Sequence, residues 1–272
     1  MMEKDRIPKV IHYCWFGDAK LDEKAKRCIA SWRRFFPDYE IKQWNETNFN
    51  IKDCAYVEEA YACRQWAFVS DYARVWILYH EGGIYFDTDV EVIKDMSSII
   101  TLGPYMGVER FIQNFGIGIN PGLGMAAAPC DDILGELLKI YRTTSFMDDS
   151  KDLNNHTIVI KMSSILKKYG LKDVNQIQRV KGYHIYPIEY FNPLNDEIGK
   201  LILTENTYSI HWYSASWMAE KDLWNKEFRY RYCKRYGKTL GLIFASMHTA
   251  YKEGGFQLLC YRIIKKLIKM LQ

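Results

Sequence analysis

The chain has 272 residues, 48% of them hydrophobic, which is enough to bury one sizeable core and favours one large domain over two. Its formal net charge of +4 is too small to indicate nucleic-acid binding, and no uncharged apolar stretch reaches the roughly 18 residues of a transmembrane helix. The seven scattered cysteines include no Cys-x-x-Cys pair and no apolar signal segment opens the sequence, so we expect a cytoplasmic protein without a disulfide scaffold or a zinc site.

Strand and helix patterns alternate along the first third of the chain. The segment 22–36 carries an apolar face at helical spacing, and Pro37 ends it. Strands are predicted at 10–16, 39–44 and 84–92, and helices at 22–36, 57–63 and 65–80. This order predicts an α/β fold in which helices wrap a parallel sheet, within a single domain that covers residues 1–255.

The middle of the chain is less regular. Residues 105–128 mix short apolar runs with glycines, which indicates bent strands. The segment 116–122 is not a dinucleotide-binding fingerprint, because its third glycine is misplaced and Pro121 interrupts it. The polar run 154–157 offers an N-cap for a helix that reaches residue 169, although its side chains could instead line a pocket.

The helix predicted at 65–80 is apolar or aromatic at nearly every position, so it should be buried on most sides. Ser70, Asp71 and Arg74 are the exceptions. Asp71 and Arg74 are three residues apart and therefore lie on neighbouring turns of one face. They could form a structural ion pair within the core, or they could face a polar ligand such as a sugar, with Asp71 accepting and Arg74 donating hydrogen bonds.

The most informative segment is an apolar run that ends in Asp87-Thr88-Asp89. If 84–92 is one strand, Asp87 and Asp89 share a face of it with Tyr85, because strand side chains alternate. Two neighbouring carboxylates on a largely buried strand repel each other unless a cation lies between them. The segment therefore predicts a divalent-metal site, and the alternative is a solvated strand end without a ligand.

Three sequence blocks occur in a fixed order along the chain. The opening block is Ile7-Pro8-Lys9-Val10-Ile11-His12-Tyr13-Cys14-Trp15-Phe16-Gly17, the central block combines Ser70-Asp71-x-x-Arg74, Leu78-Tyr79, Gly82-Gly83-Ile84-Tyr85 and Asp87-Thr88-Asp89, and the closing block is His211-Trp212-Tyr213-Ser214-Ala215-Ser216-Trp217. Together they resemble glycosyltransferase family 32, the sugar transferases with a DXD motif found in capsular-polysaccharide and yeast mannan synthesis. The glucosylating domains of large clostridial toxins carry a similar block.

This resemblance implies a GT-A-type, Rossmann-like fold and an enzyme that transfers a hexose, with retention of configuration, from a nucleotide-diphosphate sugar such as a UDP-sugar. The acceptor would be a glycan or a lipid-linked saccharide, in surface polysaccharide synthesis. Asp87 and Asp89 match the metal and diphosphate carboxylates, and His211 matches a further metal ligand, a set that suits Mn²⁺ or Mg²⁺. Residues that match donor-sugar or nucleotide contacts are Trp15, Ser70, Asp71, Arg74, Tyr85, Ser216 and Trp217. No residue matches a nucleophile.

Three of the aromatic and histidine residues in these blocks have a structural alternative. Trp15 follows an apolar strand, where a core aromatic is as plausible as one that stacks on a nucleotide base. His211 ends the strand-like run 208–210, and a lone histidine there is usually a hydrogen-bonded structural residue. We predict that His12 is buried and structural.

The C-terminal segment 256–272 is predicted to be a separate amphipathic helix. Its apolar stripe consists of Ile264, Leu267, Ile268 and Leu271, and its basic stripe consists of Arg262, Lys265, Lys266 and Lys269. Such a helix can pack on the domain, or it can lie on an anionic membrane surface, where each basic residue contributes on the order of 1 kcal/mol. The second possibility predicts a peripheral protein on the inner face of the cell membrane.

Two other functions fit parts of the sequence. A phosphatase of the haloacid-dehalogenase type also has an apolar run followed by Asp-x-Asp, but it needs that strand near the N-terminus, together with a later lysine and a paired acidic motif. Asp131-Asp132 is predicted to open a helix instead. A non-catalytic carbohydrate-binding or membrane scaffold would not need Asp71, Arg74, Asp87 and Asp89 to be intact. Glycosyl transfer is therefore the favoured prediction.

Overall fold

A computed structural model describes residues 7–149, 157–214 and 220–271, without the side chains at 149, 220, 221 and 262–271. The described helices are α1 (Glu23–Phe35), α2 (Ala55–Ala62), α3 (Trp66–Glu81), α4 (Ser97–Ile100), α5 (Asp132–Arg142), α6 (Phe146–Asp149), α7 (Ile158–Lys168), α8 (Ile188–Phe191) and α9 (Glu220–Leu271). The strands are β1 (Val10–Cys14), β2 (Glu40–Trp44), β3 (Gly83–Tyr85), β4 (Val90–Val92), β5 (Tyr105–Ile112), β6 (Gly116–Ile119), β7 (Met125–Ala127), β8 (Gln178–Val180), β9 (Tyr183–Tyr186), β10 (Leu194–Asn195), β11 (Lys200–Leu201) and β12 (Ser209–His211).

A mixed sheet forms the centre of the fold. Its strand order is β2-β1-β3-β7-β5-β9-β8, and β6 pairs with β5. Strand β1 runs parallel to β2 and β3, whereas β7 runs antiparallel to β3 and β5. The predicted α/β class is thus confirmed. The sheet is mixed rather than parallel, because the irregular middle of the chain adds antiparallel strands at its centre.

Helices cover both faces of this sheet. Tyr85 belongs to a core cluster that includes buried residues of α2, α3, α5 and α7. Ile84 and Phe86 point the other way, into a second cluster with Trp32 of α1. The predicted helix at 22–36 is confirmed, since Asp22 caps α1 by accepting a hydrogen bond from the Ala25 amide at 2.7 Å. The helices predicted at 57–63 and 65–80 are likewise present as α2 and α3.

The double glycine Gly82-Gly83, at the start of β3, brings two strands into close contact. Gly83 has φ of +100°, and a Cβ there would lie 2.7 Å from the Val10 carbonyl oxygen of β1. Only glycine combines that conformation with that approach. Helix α3 therefore ends and β3 begins within one residue, which places the residues after β3 beside the end of β1.

The predicted single strand over 84–92 is wrong. Strand β3 ends at Tyr85, and β4 begins only at Val90, in a separate two-stranded sheet with β12. Residues 88–89 form a turn, closed by the Val90 amide, which donates to the Asp87 carbonyl at 3.0 Å. Asp87 and Asp89 consequently do not share a strand face. They lie where the chain passes from the large sheet to the small one.

The chain forms two compact units, whereas the sequence predicts one domain up to residue 255. The first comprises residues 1–193 and 203–214, and the second comprises 194–202 and 215–272. Within the second unit, residues 220–261 pack against one another: the rings of Phe228 and His248, for example, stack with centroids 3.9 Å apart. The single domain over residues 1–255 stays a prediction. The first unit contains every described residue of the predicted site.

The helical segment α9 is interrupted at Gly237 and at Gly254–Gly255, where the backbone is not helical. The predicted helix at 256–272 begins at the second interruption. Its side chains from residue 262 onward, and with them both predicted stripes, lie outside the described side chains. Among the described residues, no helix has the length and apolar character needed to cross a bilayer.

Candidate active site

Arg74 connects two of the predicted site carboxylates. The Arg74 side chain is only 5% exposed, and its guanidinium lies 3.1 Å from Asp71 Oδ1 and 2.8 Å from Asp87 Oδ1. The Tyr85 hydroxyl also donates to Asp87 Oδ1, at 3.1 Å, and the Tyr85 ring lies under the guanidinium at 5.0 Å. Four residues from α3, β3 and the following turn therefore form one buried network, and the Asp71–Arg74 ion pair is present within it.

Asp89 has a different partner from Asp87. Its Oδ1 lies 3.1 Å from Nε2 of the buried His211, and its Oδ2 accepts a hydrogen bond from the Ser214 amide at 2.7 Å. The Trp212 amide donates to the Asp89 carbonyl at 3.0 Å. These bonds hold the second half of the turn against β12 and the residues that follow it.

Asp87, Asp89 and His211 could hold a metal ion. Each offers a ligand atom, and the three atoms lie within 4.8 Å of one another. Two observations fit a metal: Nδ1 of His211 is buried without a hydrogen-bond partner, and the side-chain hydrogen bonds that Asp87 receives from described residues all reach Oδ1. Two carboxylates and an imidazole suit Mn²⁺ or Mg²⁺, and the nitrogen ligand favours Mn²⁺.

The pKa values of the site residues are shifted in different directions. Burial raises the pKa of Asp71 to about 6, although Arg74 acts in the opposite direction. Burial would also raise the pKa of Asp89, but the neighbouring His211 and the Ser214 amide lower it to about 2. Asp89 in turn raises the pKa of His211, against the effect of burial. Asp89 is thus ionised at neutral pH, whereas the pKa of Asp71 is raised toward neutrality.

A short turn between β6 and β7 presses against Asp87. Asn120 Oδ1 accepts a hydrogen bond from the Gly122 amide at 2.7 Å, and the Gly122 carbonyl accepts one from the Asp87 amide at 3.1 Å. A Cβ at residue 122 would lie 2.0 Å from Asp87 Oδ2. Gly122 is therefore needed for space, and any larger residue would displace the carboxylate.

The structure places the remaining predicted residues unevenly. Ser70 is half-buried on α3, next to Asp71. Trp15 is half-buried just after β1, and its indole donates to the Ala19 carbonyl at 2.6 Å. The preceding residue, Cys14, lies beside the Tyr85 hydroxyl, so the end of β1 reaches the site. Ser216 and Trp217 lie outside the described residues.

Several site residues were missed by sequence reasoning. Glu109 and Asn192 are buried polar residues, and Tyr213 joins them: its hydroxyl lies 2.7 Å from Asn192 Nδ2 and 3.3 Å from Glu109 Oε1. Asn120 was missed as well, although an Asn-Pro-Gly sequence is typical of a turn in which the asparagine bonds the backbone two residues on. Glu109 carries no sequence signal, because it is a single acidic residue in an otherwise ordinary strand.

The structure is thus that of an α/β protein in which an acidic turn that could hold a metal lies beside a buried arginine. Residues 22–104 match the family described as "Glycosyltransferase sugar-binding region containing DXD motif". This part of the chain is thus similar to the sugar-binding region of the DXD glycosyltransferases, and the predicted resemblance to DXD sugar transferases is confirmed.

One curated relative is similar over part of the chain. It is inositol phosphoceramide mannosyltransferase 1 of Schizosaccharomyces pombe (strain 972 / ATCC 24843), 30% identical over 115 residues. The matched part is 38% of this chain and 34% of the relative, so the chain spans about a third of that protein's length.

Solved glycosyltransferase structures are also similar, at a greater distance. The PaToxG glycosyltransferase is 19% identical with a TM-score of 0.48, over 60% of this chain and 70% of that one. A glycosyltransferase involved in the glycosylation of the major capsid of PBCV-1 is 13% identical with a TM-score of 0.43, over 84% of this chain and 100% of that one. TM-scores at this level carry no inference about the substrate.

Proposed function

We propose that the chain is a metal-dependent glycosyltransferase. It moves a hexose from a nucleotide-diphosphate sugar, in the first instance UDP-linked, to a glycan or a lipid-linked saccharide in surface polysaccharide synthesis. The observation that carries this proposal is the convergence of Asp87, Asp89 and His211 beside the buried Asp71–Arg74 pair. One group suits a metal and a diphosphate, and the other suits neutral sugar hydroxyls.

The site residues have separate proposed roles in binding the metal and the sugar. Asp87, Asp89 and His211 would hold Mn²⁺ or Mg²⁺, and a bound divalent cation stabilises the charge that the nucleotide-diphosphate leaving group gains. Asp71 accepts hydrogen bonds from sugar hydroxyls, and Arg74 donates to them while keeping Asp87 in place. Tyr85 also holds Asp87, by donating a hydrogen bond to the same oxygen, Oδ1. Retention of configuration rests on the family resemblance alone.

The donor and acceptor rest on weaker support. The name of the Schizosaccharomyces pombe relative supports a hexose donor and a lipid-bearing acceptor, although that relative is matched over only a third of its length. The phosphatase and scaffold alternatives lack comparable support: Asp131 caps helix α5 through Leu134, as predicted from the sequence, instead of completing a phosphatase site.

The test is a donor panel. UDP- and GDP-linked hexoses are incubated with the protein and Mn²⁺, and nucleotide release is measured with and without EDTA. We expect one donor to be turned over well above the others and EDTA to abolish its turnover. Absence of release from every donor, with no binding of any of them by calorimetry, would contradict the proposed function.

We also propose that the protein is cytoplasmic and binds the inner face of the membrane through its C-terminal segment. Residues 256–272 hold four of the 37 lysines and arginines and none of the 33 acidic residues, so this segment alone carries +4, as much as the whole chain. Phe256 and Tyr261 are 72% and 60% exposed. Basic and aromatic side chains together favour an anionic membrane interface.

Co-sedimentation with phosphatidylglycerol vesicles tests this association. We expect the full chain to bind at low salt and to dissociate as salt rises, because screening acts on the basic residues. Removal of residues 256–272 should abolish binding and spare transfer to a short water-soluble acceptor. Phosphatidylcholine vesicles are the control. A full chain that stays in the supernatant at low salt would show that the segment is packed within the protein.

A further inference from the structure

Glu109 is a buried carboxylate that neither the sequence motifs nor the metal cluster explains. It lies on β5 and is 6% exposed. The register between β5 and β6 shifts between Val108 and Arg110, so Glu109 occupies a β-bulge. Bulges redirect a side chain, and they are frequent next to active sites. The local backbone irregularity is therefore centred on this one acidic residue.

The two oxygens of the Glu109 carboxylate differ in their hydrogen bonds. Oε1 accepts hydrogen bonds from Asn120 Nδ2 at 3.1 Å and from the Tyr213 hydroxyl at 3.3 Å. Oε2 is buried and receives no hydrogen bond from the described residues; its ion-pair partner is Nε of the largely exposed Arg110, at 3.5 Å. A buried carboxylate oxygen without a hydrogen bond costs stability unless a ligand supplies the donor.

The same carboxylate is connected through Asn120 to the turn that carries Asp87 and Asp89, the DXD turn. Its partner Asn120 opens the turn that contains Gly122, and the Cβ position of Gly122 abuts Asp87. The charge of Glu109 acts on Asp71, which contacts Arg74, and on His211, which contacts Asp89. Its hydrogen-bonded neighbour Asn192 also has a buried Oδ1 without a partner. Unsatisfied polar atoms thus gather on the wall formed by β5 and the residues that contact it.

We propose that Glu109 is a further substrate-binding residue of this site, and that its Oε2 accepts a hydrogen bond from a hydroxyl of the transferred sugar. This inference rests on the proposed glycosyltransferase function. The ligand is assigned to the sugar because the carboxylate is deeply buried, and because a neutral hydroxyl can satisfy it beside Asp71 and Asp87, whereas a diphosphate would add negative charge. Asn120 and Tyr213 are positioning residues that orient it.

The test compares Glu109→Gln with the wild type, using the donor that is most active in the panel. The variant keeps the size of the side chain and an acceptor for Asn120, but it loses the charged acceptor for the sugar hydroxyl. We expect kcat/KM for nucleotide release to fall at least about 10-fold, whereas Kd for free UDP or GDP changes less than about twofold. Glu136→Gln is the matched control, because Glu136 bonds Lys168 and Tyr169 away from this pocket.

A set of deoxy-sugar donors separates recognition from structure. Each donor lacks one hydroxyl, and for one of them the wild type and Glu109→Gln should have equal kcat/KM, because the interaction is already absent. A merely structural role would weaken all donors and the free nucleotide alike, with a lowered melting temperature, and would overturn the inference. So would unchanged kinetics in an active variant. If the wild type neither binds nor cleaves any donor, the proposed function fails, and this inference fails with it.

Discussion

Two buried histidines have opposite electrostatic environments. His12, in the large sheet, is fully buried, as predicted from the sequence. Its Nδ1 accepts a hydrogen bond from the Trp44 indole at 3.1 Å, and its Nε2 lies 3.0 Å from the Gly82 carbonyl oxygen. Because the indole nitrogen can only donate, the neutral ring with its proton on Nε2 satisfies both bonds. Burial accordingly lowers the pKa of His12 to about 4.

His211 is nearly as buried, yet its pKa is raised. Burial alone would lower this pKa, but Asp89 in direct contact, together with Asp87 and Glu109, outweighs that effect. The comparison shows that carboxylates, and not burial, decide the charge of a buried imidazole here. Negative charge is concentrated at the DXD turn, whereas both ring nitrogens of His12 are hydrogen-bonded to neutral groups, and the charges of Glu81 and Lys42 act on its pKa in opposite directions. Of these two places, the DXD turn is therefore the one that favours a cation.

The strongest test of this contrast is Asp89→Asn, which removes the partner of His211. Nucleotide release should fall at least about 100-fold, because a ligand charge and the stabilisation of the leaving group are lost together. The melting temperature should stay within a few degrees, since an amide oxygen can still accept the Ser214 amide. Asp95→Asn is the control, because Asp95 is exposed and accepts a hydrogen bond from the Ser97 amide just before helix α4. Full activity at limiting Mn²⁺ would contradict the metal assignment.

Asp71→Ala sharpens the contrast by removing a carboxylate that contacts Arg74 rather than a histidine. If Asp71 binds sugar hydroxyls, Kd for the sugar-nucleotide should rise at least about 10-fold, while Kd for the free nucleotide changes little. A structural ion pair would instead give a lower melting temperature and equal effects on both ligands. Glu81→Ala is a suitable control, because it breaks the Lys42–Glu81 pair at the far end of helix α3. Calorimetry with both ligands distinguishes the outcomes.

The smallest effect concerns His12 and pH. The pKa of His12 is lower in the folded state than in the unfolded state. Above pH 6.5 the burial of this histidine therefore does not reduce the free energy of unfolding, whereas that free energy falls as the pH decreases from 6.5 toward 4. Between pH 7 and 5 this amounts to about 2 kcal/mol of unfolding free energy. Urea unfolding at both pH values measures it. His12→Gln should be less stable at pH 7 but lose less on acidification, and an equal loss in both proteins would exclude His12 as the source.

Local sequence signals predicted the helices well. Helix α1 has an N-cap at Asp22 and an apolar face, and α3 ends at the glycine pair, so each is specified within a few residues. The buried position of Arg74 among apolar neighbours could also be predicted, because a charged residue in such a helix must find partners inside the fold.

Long-range pairing could not be predicted in the same way. Alternation over 84–92 suggested one strand, but the chain changes sheets there because β4 pairs with β12, more than a hundred residues later. The carboxylates still converge, for a reason unrelated to strand alternation: Arg74 fixes Asp87, and His211 with Ser214 fixes Asp89. Glu109 was missed because its importance arises from a bulge and from Asn120 and Tyr213, which no local pattern reveals.

The passage of the chain between two sheets has a consequence for ion selectivity. Asp87 lies two residues after the end of β3 in the large sheet, and Asp89 directly precedes β4 of the small one, so the distance between their carboxylates depends on how the chain passes from one sheet to the other. A change deep in the small sheet, such as Ile210→Val, should therefore alter the relative activities with Mg²⁺ and Mn²⁺, ions of different radius, while every ligand is retained. For the proposed metal site, ion preference could then change through the core, without a change in the residues that would hold the ion.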